Sequence, residues 1–256
     1  MILLYETADA ERNGAFIAEI KRFANVEMVC WDEWDDAGVE QLAEKLIGEI
    51  VIWRCRRPLA ARYLENNGVR LVNRAEVNRI ANDKWLSYQL FLMLGVPAIP
   101  TYRTPQQFPC VAKTVDGHGG SEVEIIDSAD AWKTFKREVI FQPVIEHSAD
   151  VRAYVIGDEV VGAVKRSSDN SFKKNFSLGA EVEKFVLDSI KEQEVLKIAR
   201  AIKVDYIGVD FLLLEDGRHL FNEIEDPVGA RSFYQTHEEN IAELLVRHVE
   251  KKFEDK

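Results

Sequence analysis

Along the first 73 residues, short apolar runs alternate with amphipathic stretches. MILLY, VEMVCW, EIVIWR and VRLVN read as strands, and ERNGAFIAEIKRF, VEQLAEKLIG and PLAARYLENNG between them read as helices. Alternation at this spacing predicts a small parallel sheet with helices on its faces. Residues 73–95, NRAEVNRIANDKWLSYQLFLMLG, keep a helical pattern up to Gly95, with Pro97 just beyond, as at a helix C-cap.

Past Gly95 the pattern changes character. VPAIPTYR, FPCVAKTV and SEVEIID read as strands, and SADAWKTFKREV as a helix with Ser128 at its N-cap. IFQPVIE is a strand. DVRAYVIGDEVVGAVKR is a hairpin turning at Gly157-Asp158, and DSIKEQEVLKIARAIK is a helix. YIGVDFLLLEDGRHLFNEIEDP is a second hairpin turning at Asp216-Gly217, and THEENIAELLVRHVEKKF closes the chain as a helix. No internal repeat or low-complexity segment interrupts the series. The organisation is α/β first, then α+β.

The second hairpin is too apolar for its three acids to pass unnoticed. If Asp216-Gly217 is a two-residue turn, Glu215 faces Arg218, Leu212 faces Phe221 and Asp210 faces Glu223. Glu225 then shares that face, opposite Gly208. Like charges directly opposite destabilise a sheet, so the cluster needs a counter-charge or exposure. Solvated acids on an edge are one outcome. A metal site is the other, favoured by the apolar neighbours on that face. All-oxygen ligation suits Mg2+ or Mn2+, and magnesium usually combines one or two carboxylates with substrate phosphates. The same counting on the first hairpin sets Asp150 opposite Lys165 with Arg152 on their face, and turns Arg166 the other way unless a bulge intervenes.

Composition narrows the classes. A formal charge of -11 without a long basic cluster argues against nucleic-acid or anionic-membrane binding. Cys30, Cys55 and Cys110 are far apart and odd in number, which fits reduced thiols in a cytoplasmic protein better than a disulfide framework or zinc site. MILLYETADAERN turns acidic too soon for a signal peptide, and no apolar run approaches a membrane span. Two stretches offer anion chemistry. Arg54, Arg56 and Arg57 follow EIVIW, at the carboxyl end of a parallel strand where ligands collect, though a solvated loop is the commoner outcome. Gly117, Gly119 and Gly120 in KTVDGHGGSEV, with Lys113 upstream, permit amides to converge on phosphate oxygens; a flexible hairpin tip is the alternative. Neither a P-loop nor a dinucleotide fingerprint is present.

Taken in order, the α/β unit, N-DK-WLSYQL, the strand lysine with its glycine loop, FQPVIE, DVRAYVIG, KR with FKKN, and VDF with NEIE resemble the ATP-grasp superfamily. Within it the branch is that of the ribosomal-protein glutamate ligase (RimK-type) and its amino-acid-ligase relatives. The resemblance implies a small N-terminal parallel-sheet domain over residues 1–74 and two α+β lobes clamping ATP, over 75–143 and 144–256. It implies that Lys84, in the Asp83-Lys84 pair, and Lys113 reach the nucleotide phosphates, and that Gly117 and Gly120 belong to the flexible loop over them. Gln142 matches the hinge that holds adenine, with the Val144 amide nearby and Glu146 a ribose ligand. Asp150 and Arg152 match the family's D-x-R. Arg166, Lys173 and Asn175 match the series facing the γ-phosphate and acyl phosphate, and Asp210, Glu223 and Glu225 fall on the metal ligands. Arg231, just past them, is assigned to the acid substrate's carboxylate or the tetrahedral intermediate, with a plain surface arginine as alternative.

Four departures stand out. Glu225 replaces the usual Asn, Pro143 removes a hinge amide, Glu122 replaces a loop glycine, and Asp226-Pro227-Val228-Gly229 alters the family's N-x-x-P-G. The implied activity is ATP-dependent joining of a carboxylate to an amine, on an amino acid or peptide, with Mg2+ or Mn2+. A phosphotransferase or a non-catalytic nucleotide-binding regulator would use the same nucleotide site. No nucleic acid or membrane partner is expected, and a homodimer is the default assembly.

Overall fold

The computed structural model describes residues 1–118, 122–131, 135–167 and 181–254. Strands β1 (Ile2–Tyr5), β2 (Glu27–Cys30), β3 (Ile50–Trp53) and β4 (Arg70–Val72) run parallel in the order β2-β1-β3-β4. The central strands are apolar on both faces because α1 (Thr7–Arg12), α2 (Gly14–Phe23), α3 (Asp36–Leu46) and α4 (Pro58–Asn66) connect and cover them. Asp35 caps α3, its carboxylate accepting from the Gly38 amide at 2.8 Å, and Pro58 opens α4 where a missing amide costs nothing.

The helical stretch after β4 is two helices, α5 (Ala75–Ala81) and α6 (Lys84–Leu94), where one was expected. Asp83 explains the break: its Oδ1 accepts from the amides of Trp85 (2.9 Å) and Leu86 (3.0 Å), so it caps a new helix. Lys84 therefore sits in a first helical turn. Gly95, at φ +64°, ends α6 in the left-handed conformation expected of it.

Residues 96–103 are expected to form a strand, and 96–102 instead make a strap. Pro97 and Pro100 remove two donors, so regular pairing is lost. Phe221 N donates to Pro97 O (2.8 Å) and Ile99 N to Phe221 O (3.0 Å), while Tyr102 and Phe141 exchange bonds of 2.9 Å. The strap thus ties two antiparallel sheets together. The smaller contains β5 (Cys110–Thr114), β6 (Val123–Ile126) and β7 (Val139–Pro143), in the order β6-β5-β7. The helix expected over residues 128–139 is not seen in its described part. Residues 128–131 turn, with Ala131 N on Ser128 O at 3.3 Å, and Phe135 and Ala131 pack on the small sheet's core; residues 132–134 lie outside the described residues.

The larger sheet has the order β10-β9-β8-β11-β12, built from β8 (Ala149–Ile156), β9 (Glu159–Ser167), β10 (Glu181–Phe185), β11 (Tyr206–Leu213) and β12 (His219–Glu225). Alternation divides its side chains. Val151, Ala153, Val155, Ile207 and Val209 pack with Val77, Phe91 and Ile198 under α5, α6 and α7 (Ser189–Ile202). On the opposite face Tyr154 and Tyr206 share a cluster with Leu3, Phe16, Leu245 and Val249. The first sheet, the large sheet and the closing helix α9 (Ile241–Glu254) therefore share one core. A short α8 (Arg231–Thr236) precedes α9. Among the described residues, no helix is long and apolar enough to cross a membrane.

Candidate nucleotide and metal site

On the Tyr154 face, β8 and β11 present Asp150, Arg152, Asp210 and Gly208 toward the small sheet. A cavity of about 480 Å3 opens between the two sheets. One end is apolar, lined by Ile99, Val111, Ile145 and Leu212, with Gln142 at its edge. Gln142 is buried and its side-chain amide donates to Thr101 Oγ1 at 3.0 Å, which fixes its orientation.

Both hairpins reach the cavity through bulges. In β11–β12 the Asp210–Glu223 and Gly208–Glu225 pairs occur as expected, but Leu212 faces Leu220 and Phe211 faces Phe221. The turn has three residues, with Gly217 at φ +83° and Leu214 N bonded to Arg218 O at 2.8 Å. A bulge at Asn222 then restores the register. The two departures cancel, so the acids still meet. The bulge also turns Asn222 into the cavity beside Glu223, where its Oδ1 accepts from Lys113 Nζ at 2.9 Å.

In β8–β9 a single bulge, between the Val155–Val160 and Tyr154–Gly162 pairs, shifts every later pair by one. Arg166 now faces Asp150, and Lys165 faces Val151. This corrects the expected Asp150–Lys165 pairing. Arg166 lines the cavity with Arg152, and Lys165 turns to Glu183 at 2.8 Å.

The charges are already matched. Arg152 grips Asp210 with two bonds, Nε to Oδ1 at 2.7 Å and Nη2 to Oδ2 at 2.6 Å, and reaches Glu225 at 3.0 Å. Arg166 approaches Asp210 at only 3.4 Å, and its buried Nε has no partner among the described residues. Arg166 therefore lines the cavity with a guanidinium that its neighbours leave incompletely paired. Lys84 bonds the Gly117 carbonyl and lies 3.4 Å from Glu223. Burial raises the Glu223 pKa, but Lys84, Lys113 and Arg152 outweigh it and hold the group down at about 2. Burial pushes Glu225 up, against Arg152, and the neighbouring Glu223 and Asp210 add to that rise. Burial also brings Lys113 down to about 8.

Oxygens of Asp210, Glu223 and Glu225 lie within 4.8 Å of one another, a hard, all-oxygen set that fits one magnesium ion after small side-chain adjustments. Asp210 is the most engaged by arginine. Glu223, whose nearest cation among the described residues is Lys84 at 3.4 Å, has the oxygens least engaged by a cation.

Of the expected site residues, Lys84, Lys113, Gly117, Gln142, Arg166, Asp210, Glu223, Glu225 and Arg231 line this one cavity. The side chains of Val144 and Glu146 are exposed and do not line it, while Ile145 between them does; Val144 is expected there only through its backbone amide. Gly120, Lys173 and Asn175 lie outside the described residues. The basic run after β3 divides its tasks. Arg54 is buried over the rings of Tyr5, Phe16 and Tyr206, Arg57 pairs with Glu6 at 2.6 Å, and Arg56 lines the cavity. Asn222, Asn82 and His118 also line it and were not anticipated as site residues. For Asn222 the signal was present: Asn222-Glu223 sets two polar residues side by side in an alternating strand.

Comparisons with known proteins identify the fold and the family. Residues 95–249 match the model of the RimK-like ATP-grasp domain. An uncharacterized protein of Mycoplasma genitalium is 30% identical over 98% of this chain and 93% of its own length. A probable alpha-L-glutamate ligase of Pasteurella multocida is 29% identical over 75% of this chain and 68% of its own. Among solved structures, the ATP-grasp ligase PsnB complexed with a minimal precursor superposes with a TM-score of 0.73, at 16% identity, covering 98% of this chain and 99% of that one. A further structure of that ligase holds the precursor, Mg and ADP (TM-score 0.68, 15% identity, 97% of each chain). The fold is an ATP-grasp fold, and the chain belongs to the RimK-like ATP-grasp family.

Proposed function

We propose that the protein is an ATP-dependent carboxylate–amine ligase, forming an amide bond on an amino acid or peptide through an acyl phosphate. The observation that carries this is the one cavity in which Arg152, Arg166, Lys84 and Lys113 surround Asp210, Glu223 and Glu225, beside an apolar slot that suits a purine base. In the proposed division, residues 1–74 buttress the site, 75–143 bring the phosphate lysines and 144–256 bring the acids.

The base occupies the slot beside Gln142 and Ile145, and Lys84 and Lys113 hold the phosphates. Asp210, Glu223 and Glu225 would hold Mg2+, or Mn2+ with the same donor set, which supplies charge neutralisation to the polyphosphate. A substrate carboxylate oxygen attacks the γ-phosphorus and ADP leaves. Arg166 neutralises the transferred group, with Lys173 and Asn175 in the parts the resemblance gives them. An amine then attacks the acyl carbon, loses a proton and expels phosphate with one former carboxylate oxygen. Catalysis is positioning and electrostatic stabilisation, so no nucleophilic side chain is needed.

Hydroxylamine tests this, because it traps an acyl phosphate as a hydroxamate. With MgATP and a panel of amino acids and short peptides, at least one acid is expected to give hydroxamate together with ADP. ADP release that depends on the acid but never yields hydroxamate would instead indicate phosphotransfer.

A further inference from the structure

The cavity extends past the acids, and its far end has its own chemistry. Successive residues on this face of β11 are Leu212, Asp210 and Gly208, each step roughly 6.6 Å along the strand; Leu212 and Asp210 line the cavity, and Val228 and Arg152 cover Gly208. Leu212 belongs to the apolar slot, Asp210 pairs with Glu223, and Gly208 pairs with Glu225. A nucleotide with its base in the slot therefore ends its phosphates at the acids. What lies beyond them is the wall formed by Asp226, Pro227 and Gly229, with Arg56, Asn82 and Arg231.

That wall is held from the N-terminal side. Asn73 and Asn78 each donate to a different oxygen of buried Asp226 at 2.8 Å, and Asn82 donates to its carbonyl at 2.8 Å. Arg54 donates to Val228 O at 2.6 Å. Gly208 lets this segment come close, since a Cβ there would lie 2.8 Å from Val228 Cγ2. The two amides fix the Asp226 carboxylate without neutralising it, and Arg54 and Arg56 offset its charge.

Arg56 is held far less firmly. Among the described residues its polar contacts are Pro227 O at 3.4 Å and Asp9 at 3.5 Å, both longer than the roughly 2.7–2.9 Å of a strong charged bond, and its side chain is 28% exposed. Its planar fork can therefore exchange these contacts for a bidentate bond to an incoming carboxylate.

We propose that Arg56 is a specificity residue: its guanidinium binds a second carboxylate of the acid substrate, so that the preferred acid carries an anionic group besides the one activated. This rests on the ligase reading. The substrate then spans from the phosphate end at Glu223 to Arg56, with Arg231 at the same end of the cavity.

The test compares hydroxamate formation from dicarboxylic acids and their mono-amides, such as glutamate and glutamine, aspartate and asparagine, succinate and succinamate. It uses MgATP and hydroxylamine with the native chain, Arg56→Ala and Arg56→Lys. The native chain should prefer the diacid. Arg56→Ala should raise the KM for the diacid on the order of 10- to 100-fold, lower kcat much less, and remove the preference, while Arg56→Lys restores part of it. The magnesium-dependent thermal shift produced by ATP should survive in both variants. An unchanged diacid-to-amide ratio in Arg56→Ala overturns the assignment, as does loss of the ATP shift, which would make Arg56 part of the nucleotide site. Absence of hydroxamate from every acid overturns the ligase reading, and this inference with it.

Discussion

The two hairpins that meet at the cavity are built alike and charged oppositely. β8–β9 turns tightly at Gly157 and carries Arg152 and Arg166; β11–β12 turns on three residues and carries Asp210, Glu223 and Glu225. Each contains one bulge, and each bulge turns a polar side chain inward that regular pairing would misplace: Arg166 in one, Asn222 in the other. Neither hairpin could hold its charges alone. Opposed carboxylates repel, and buried guanidinium groups need acceptors. The Arg152–Asp210 pair across β8 and β11 resolves both, and it leaves Arg166 and Glu223 as the loosely bound cation and anion. The hairpins thus neutralise each other where structure requires it and stay open where chemistry does.

The largest expected effect comes from breaking that shared pair. Arg152→Met leaves Asp210 and Glu225 buried without their cation and should cost about 3–5 kcal/mol of stability in urea unfolding. Added magnesium should recover part of that loss in the variant and far less in the native chain. Next in size is Glu223→Gln, which removes the least engaged acid. Since loss of a group supporting a metal ligand already costs 10- to 100-fold, turnover should fall at least ~100-fold, with little change in urea midpoint. Arg166→Leu sharpens the contrast on the cationic side: turnover down roughly 10- to 100-fold, stability within about 1 kcal/mol, because its structural bond is only 3.4 Å long.

The smallest effect is a pH dependence. Burial depresses the Lys113 pKa to about 8 from 10.5, so the folded protein loses this charge first as pH rises. Between about pH 8 and 10.5 the unfolded chain holds that proton and the folded chain does not, so this residue's cost to stability diminishes with rising pH. Phosphate binding runs the other way: the KM for ATP should climb a few-fold as pH passes about 8. Lys113→Arg, which stays charged, should flatten that climb. A native profile that matches the variant would remove Lys113 from the phosphate site.

Much of this was readable in the chain. Apolar runs spaced by amphipathic stretches marked the parallel sheet, and the acids at 210, 223 and 225 were found by counting from a turn. That count reached the right pairs although the turn is a residue longer than assumed, because Asn222 makes up the difference. The same count failed for Arg166, where nothing offsets the bulge. Register depends on where a strand kinks, and a Val-Val-Gly run carries little signal of that. Elements that pair only through tertiary context were also missed. β10 is a polar edge strand, EVEKF, formed against β9 with Glu181 facing Ser167, and α8 is a six-residue helix with one buried residue. The strap at 96–102 looked like a strand because its apolar residues do pack between sheets, but its prolines limit it to isolated bridges. The fates of Arg54 and Arg56 depend on a loop 174 and 171 residues away in sequence, and that of Arg57 on Glu6, which no local pattern encodes.

The most direct measurement follows an oxygen atom. An acid that gives hydroxamate is supplied with 18O in both carboxylate oxygens, together with MgATP and an amine, and the released phosphate is analysed by mass. A ligase working through an acyl phosphate returns phosphate carrying one labelled oxygen per turnover. Unlabelled phosphate, with amide formed at the same rate, would mean that the carboxylate never attacked the γ-phosphorus.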